Sequence, residues 1–370
     1  MAAGDYHTVL IRNDGSAVAI GDDSMGQCDM PRLPEGLTYV SVAAGRSHTV
    51  FIRSDGAAVI IGDNNAGQCE VPLLPDGTSY VTAAAGHSHT VLIRNDGAAV
   101  ASGFNSCQQC EVPQLPPGMS YVRAAAGRTH TVLLRNDGAA VAFGCSGSGR
   151  CQVPPLPDGV SYIDVAAGRS HTVLVRSDGR ALARGFNGAG QCDVPQLPEG
   201  VHYTGAATGD THTVLLRSDG LAVAFGSNQW DQCRVPALPQ GVAYVGAVAN
   251  GNHTVLLCSD GRAVAFGSNQ YRQCDVNDLP ADLSYVLPAM GRDLVLTLQV
   301  ETHGTKSARI TCGSMAGREV AVVNLNTEDV TVGTLHCMVA EQLRVPVACL
   351  KLVLPGGALL RGGASPLGGL

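Results

Sequence analysis

Seven histidines recur 41 residues apart, at 7, 48, 89, 130, 171, 212 and 253, within Gly-x-x-His-Thr-Val or a close variant of it. Seven cysteines keep the same spacing, at 28, 69, 110, 151, 192, 233 and 274. A cysteine beside a histidine is the pair that performs acyl transfer, because imidazole can take the thiol proton near neutral pH and the thiolate then attacks. His48 with Cys69 illustrates such a pair. That chemistry needs one nucleophile, one base and one orienting group arranged around one substrate, and interchangeable copies give no reason for a single site. The repeated pair is therefore read as scaffold. Each of His48, His89, His130, His171, His212 and His253 is expected to tie its loop to the backbone, and each cysteine to fill space between repeats as a reduced, buried group. Cys107-Gln-Gln-Cys110 has the spacing of a redox motif or a zinc half-site, with Cys145 in the corresponding loop of the next repeat. No second Cys-x-x-Cys or histidine pair completes four tetrahedral ligands. No phosphate-cradling loop or dinucleotide fingerprint opens a helix, so no metal and no cofactor are expected.

What positions these residues is a repeat architecture, which a fixed period of this length marks by itself. One copy parses into four strand-length runs, 80–86, 89–94, 98–103 and 109–113. Val91-Leu92-Ile93 is uninterrupted and apolar, as in a strand covered on both faces. Asn95-Asp96-Gly97 signals a hairpin, since glycine accepts positive φ. Pro113-Gln-Leu-Pro-Pro-Gly118 lacks the donors a ladder needs and reads as the connector. Four-stranded units repeated without helices predict an all-β, seven-bladed propeller whose small Ala-Ala-Gly segments crowd the axis. Only three strands precede the first connector, and the missing one reappears at 285–291, so the two ends are expected to close the ring in one blade. The apolar run 294–300 has no place in this scheme.

Composition agrees. The chain has 370 residues, 45% of them hydrophobic, 15% charged and 4% aromatic, with 46 glycines, a turn-dense balance. A net charge of −7 argues against a surface built for phosphate backbones, so nucleic acid is disfavoured as a partner. No secretory leader and no membrane span are legible, which places the expected location in the cytoplasm or nucleus. Gly4 enters in mid-repeat, as in a fragment of a longer chain.

Gly-x-x-His-Thr, then Asp-Gly, then Gly62-Asp-Asn-Asn-Ala-Gly-Gln68 resembles the repeat of the regulator of chromosome condensation family of seven-bladed propellers, over roughly residues 1–300. The copies are compact, and Phe143, Phe225, Phe266 or aliphatic residues stand where that family commonly has tryptophan. The resemblance implies a propeller and, by analogy with the founding member, guanine-nucleotide exchange on a small GTPase. Related propellers also occur in ubiquitin ligases, whose catalytic domain has no room here.

After a linker at 301–308, residues 309–370 change character. A hairpin at 310–323, a helical stretch at 335–343, Val345-Pro346 and a strand at 350–354 are similar to the ubiquitin fold, without its last strand and conjugation tail.

Function is sought where the copies differ. In an up-and-down blade the loop after strand one and the loop after strand three emerge on one side. The first loops place Arg46, His87, Arg128, Arg169, Asp210 and Asn252 around the axis. The second loops carry Phe104, Phe186, Trp230 and Tyr271. Arginine and aromatic side chains on a rigid face are the make-up of interface hot spots. The expected function is a non-catalytic, monomeric platform that binds a protein partner with an acidic segment. A small GTPase and ubiquitin-pathway proteins are the alternative partners.

Overall fold

The computed structural model describes residues 1–280 and 282–286 in full, and beyond them the backbone of the strands Leu294–Thr302, Ser307–Ser314, Glu319–Asn326, Leu350–Val353 and Leu359–Leu360. The chain divides into two units, Met1–Pro288 and Ala289–Leu370.

The described residues of the first unit form seven antiparallel sheets in chain order. In sheet three, for example, Tyr80–Ala85 pairs with His89–Arg94, which pairs with Ala99–Gly103. The middle strand is buried along its length, with Val91, Leu92 and Ile93 at most 1% exposed. Burial on both faces is what the unbroken apolar run requires, because each sheet is covered by a neighbour on either side. Each hairpin turns on a glycine such as Gly97, at φ +84°, where no side chain is comfortable.

The fourth run of each repeat is not a strand. After Gly103 the chain makes a turn in which the Asn105 side chain accepts from Cys110 N–H and Gln109 Oε1 accepts from Cys107 N–H. Those donors are spent on the turn and Pro113 has none, so no fourth ladder forms. The segment runs on to a connector pinned by tyrosine. Tyr121, 3% exposed, donates its hydroxyl to Pro113 O at 2.9 Å, and the other six repeats do the same eight residues back. Tyr121→Phe is expected to cost about 1 kcal/mol, read as a lower midpoint in urea with an unchanged slope.

Sheet one closes the ring as the sequence implies, with a refinement. Its inner strand is split between the ends of the unit: Tyr285–Val286 pairs with one end of His7–Arg12 and Ala2–Ala3 with the other. The remainder of 285–291 lies outside the described residues.

The histidines complete the closure. Each Nε2 meets the threonine hydroxyl of the next sheet at 2.8–3.0 Å: His7 with Thr49, His48 with Thr90, His89 with Thr131, His130 with Thr172, His171 with Thr213, His212 with Thr254, and His253 with Thr8. Thr49 Oγ1 in turn donates to Gln27 O, and all but one of the other threonines repeat this. A hydroxyl that donates to a carbonyl must accept from the ring, which assigns the proton to Nε2. The expectation that each histidine ties down its own loop is thus corrected. It clasps its sheet to the next.

The described residues of the second unit form a five-stranded sheet. Leu294–Thr302 pairs antiparallel with Ser307–Ser314 and parallel with Leu350–Val353, while Glu319–Asn326 and Leu359–Leu360 are its outer strands. The run 294–300 is therefore a strand of this unit, and strands reach into both ends of the stretch read as a linker. The helical stretch 335–343 and the end of the ubiquitin-like reading lie outside the described residues.

Candidate partner-binding face

Backbone hydrogen bonds fix which loops share a side. In every sheet the first residue of the second loop donates its N–H to a carbonyl of the first loop: Asp22 to Tyr6, Asp63 to Ser47, Phe104 to Ser88, Cys145 to Thr129, Phe186 to Ser170, Ser227 to Thr211 and Ser268 to Asn252, all at 2.8–2.9 Å. The Asp-Gly hairpins bond instead to the start of the inner strands, as in Tyr80 N–H to Gly56 O at 2.8 Å. So the two unlike loops converge on one face, and hairpins and connectors occupy the other.

At the centre of that face the 41-residue period brings together positions 5, 46, 87, 128, 169, 210 and 251. All but the last line a recess of about 160 Å3, with Tyr6 beside them: Asp5, Arg46, His87, Arg128, Arg169 and Asp210. Asn252 is not in this circle. The seventh place falls to Gly251, and Asn252 stands one residue on, its Oδ1 accepting from Gln232 Nε2 at 3.4 Å. Asp5 and Tyr6 are the first copy's contribution, one period before Arg46 and Ser47.

The arginines dominate the recess. Arg46 meets His87 Nε2 at 3.3 Å, Arg169 pairs with Asp210 at 3.4 Å, and Arg128 makes no ion pair among the described residues. Burial holds His87 down to about 4, and Arg46, Arg128 and Arg169 add to that, so it is neutral. Burial raises Asp5 to about 7, Asp210 adds to the rise, and the three arginines oppose it. Three cations thus face two carboxyl groups, and burial pushes that of Asp5 towards its protonated form.

Around the recess Phe104, Phe186, Trp230 and Tyr271 are 43–49% exposed. The position of Trp230 and Tyr271 is filled in the next sheet by Met25, 53% exposed, and Tyr6 packs on Tyr271 with ring centroids 5.2 Å apart. Trp230, Tyr271 and Met25 therefore form one apolar arc over sheets six, seven and one. Chain order hides Met25, because it lies across the ring closure.

The other chemistry-bearing residues are accounted for by structure. The repeat histidines are fully buried. The seven repeat cysteines are free and half-buried rather than fully buried, each thiol facing a carbonyl six residues back. Burial pushes Cys69 up to about 11 and Cys274 up to about 12, which denies them thiolate reactivity. Cys107 lies near Cys145, as their loop positions suggested, and no group of three or more His, Cys, Asp and Glu able to hold a metal occurs among the described residues. Within the axis Arg123 pairs with buried Asp164 at 2.8 Å.

The family model for the regulator of chromosome condensation (RCC1) repeat matches residues 1–27, 39–68, 162–191 and 245–273. The fold is a β-propeller, and four of its segments match the RCC1 repeat. Among solved structures it is similar to Prp20p from Saccharomyces cerevisiae, at 17% identity and TM-score 0.59 over 73% of this chain and 82% of that one. It is also similar to human WBSCR16, at 13% identity and TM-score 0.58 over 69% and 86%. The CRINKLY WD40 ectodomain of the Arabidopsis thaliana receptor kinase ACR4 follows, at 18% identity and TM-score 0.53 over 72% and 93%. No curated protein matches the chain in sequence. These identities speak for the fold alone.

Proposed function

We propose that the propeller is a non-catalytic protein-binding platform whose loop face grips an acidic segment of its partner. The observation that carries this reading is the recess at the axis, where Arg46, Arg128 and Arg169 outnumber the carboxylates and an exposed aromatic rim stands around them. Rigid loops on a closed ring hold these groups with little entropy left to lose on binding. The test is titration of a fluorescein-labelled, glutamate-rich peptide into the wild type and into the Arg46→Glu, Arg128→Glu, Arg169→Glu variant. Affinity is expected to fall at least about a hundredfold, since each reversal replaces attraction by repulsion at close range. Equal affinity with unchanged folding would refute it.

Binding should also depend on pH. Asp5 is faced by Asp210, Arg46, Arg128, Arg169 and neutral His87. Protonating it below about pH 7 removes a negative charge from the recess, so the peptide is expected to bind about fivefold tighter at pH 6 than at pH 8. Asp5→Asn should bind tightly at both, and a wild-type profile that is flat or reversed would count against this electrostatic picture.

A second reading is guanine-nucleotide exchange. Prp20p, whose binding to Gsp1p and histones has been described, shares the fold. An assay of nucleotide release from a panel of small GTPases tests it, with acceleration expected on this reading and none on the first. A role as an adaptor in ubiquitin signalling has only the resemblance of the C-terminal residues behind it; capture of ubiquitin or proteasome components is its test.

A further inference from the structure

Sheets one and two show what the first position of the second loop does for stability. Asp22 and Asp63 stand there, and each carboxylate accepts from the buried amide of the loop's glutamine, Gln27 Nε2 at 2.9 Å and Gln68 Nε2 at 3.0 Å. Each also accepts from the backbone two residues on, Ser24 N–H and Asn65 N–H. In sheets three and five the same position holds Phe104 and Phe186. Gln109 and Gln191 are as deeply buried, 0% exposed, and Nε2 of each has no hydrogen-bond partner among the described residues. An unsatisfied buried donor carries its full desolvation penalty. The phenylalanines do not offset it by burial, being 43% and 49% exposed, and Phe186 merely lies across Gly188, where an added Cβ would come within 2.4 Å of the ring. A local rule is broken twice, in the same way, without gain to the fold, which is the mark of a residue retained for another purpose.

The charge around them points to what they contact. The loops of sheets three to five, residues 87–88, 104–109, 128–129, 145–150, 169–170 and 186–191, contain three arginines and no acid. In sheet four, between the two phenylalanines, Arg150 replaces the loop glutamine and reaches Thr129 Oγ1 at 3.5 Å and Arg169 O at 3.3 Å, spanning first and second loops. Acids in the second loops stand instead in sheets one, two and six, at Asp22, Asp23, Asp63 and Asp231. We propose that Phe104 and Phe186 are paired apolar anchors, held at a cost in stability, which with Arg128, Arg150 and Arg169 between them take an extended peptide whose two apolar side chains flank a run of carboxylates. This deepens the platform reading and rests on it.

The experiment uses the full chain and fluorescein-labelled peptides in which two leucines are separated by two to eight glutamates, beside a glutamate-only control. Phe104→Asn and Phe186→Asn supply a neutral acceptor for the glutamine amide and remove the ring. Each is expected to raise Tm by about 2–4 °C and to weaken the best leucine-bearing peptide at least about tenfold, while leaving the glutamate-only control unchanged. Phe104→Leu should keep most of the affinity and gain no Tm. Unchanged affinity of the leucine-bearing peptide for both asparagine variants would overturn the anchors while leaving the arginine recess standing, and a lowered Tm would overturn the stability cost. Failure of every peptide to bind the wild type would sink both readings.

Discussion

Acidification is expected to unfold the propeller cooperatively between about pH 4.5 and 5.5. Burial holds His7, His48, His89, His130 and His212 down to about 3, and His171 and His253 to about 4. An unfolded histidine titrates near its ordinary value of about 6.5. Between these limits the unfolded chain binds more protons than the folded one, so this stability is fully present above pH 6.5 and is lost as pH falls. At pH 5 each histidine contributes about 2 kcal/mol to that loss, and seven together approach the whole stability of a typical domain, about 5–15 kcal/mol. Asp5 and Asp164, raised chiefly by burial, act with the opposite sign and offset a part. Circular dichroism against pH, joined to denaturant midpoints at pH 7.5, 6.5 and 5.5, checks this. A chain still native at pH 4 would show that the clasping histidines are not buried and neutral.

The second large effect is steric. Gly45, Gly86, Gly127 and Gly168 stand at the same point of successive repeats, and at Gly86 an added Cβ would lie 2.4 Å from Gly127 O of the next sheet and 2.4 Å from the His89 ring. A backbone oxygen cannot retreat without moving a whole sheet, and the ring passes that shift on. Gly86→Ala is therefore expected to cost about 3 kcal/mol or more, or to prevent folding. Gly77→Ala is the control. Gly77 has nothing within 4 Å of an added Cβ and suffers only from its φ of +74°, so about 1 kcal/mol is expected. Equal effects at both, by urea denaturation, would contradict the close approach of neighbouring sheets.

The ring was legible because its determinants are local and repeated: the apolar run of each middle strand, the Asp-Gly turn and the proline connector recur in every copy. The fourth run reads as a strand because Gln109-Cys110-Glu111-Val112 has the composition of one. Only the side chains of Asn105 and Gln109 reveal that the donors are already taken. The histidine's partner was also hidden, since Thr172 lies 42 residues from His130 and nothing local relates them. At the face, the period placed Arg46, His87, Arg128, Arg169 and Asp210 correctly. It failed at Asn252, one residue out of phase, and at Met25, which joins Trp230 and Tyr271 only across the closure. The orphaned amides of Gln109 and Gln191 have no sequence signal apart from the change of Asp63 to Phe104 and Phe186.

Hydrogen exchange of the propeller, free and saturated with the tightest leucine-glutamate peptide, tests the shared face most directly. Protection on binding is expected in the loops at 45–47, 86–88, 127–129 and 168–170 and in the second loops at 104–109, 145–150 and 186–191. The hairpins at 55–56, 96–97 and 137–138 should exchange as in the free protein. Protection of those hairpins, or of the proline connectors, with the loops unchanged would contradict the account.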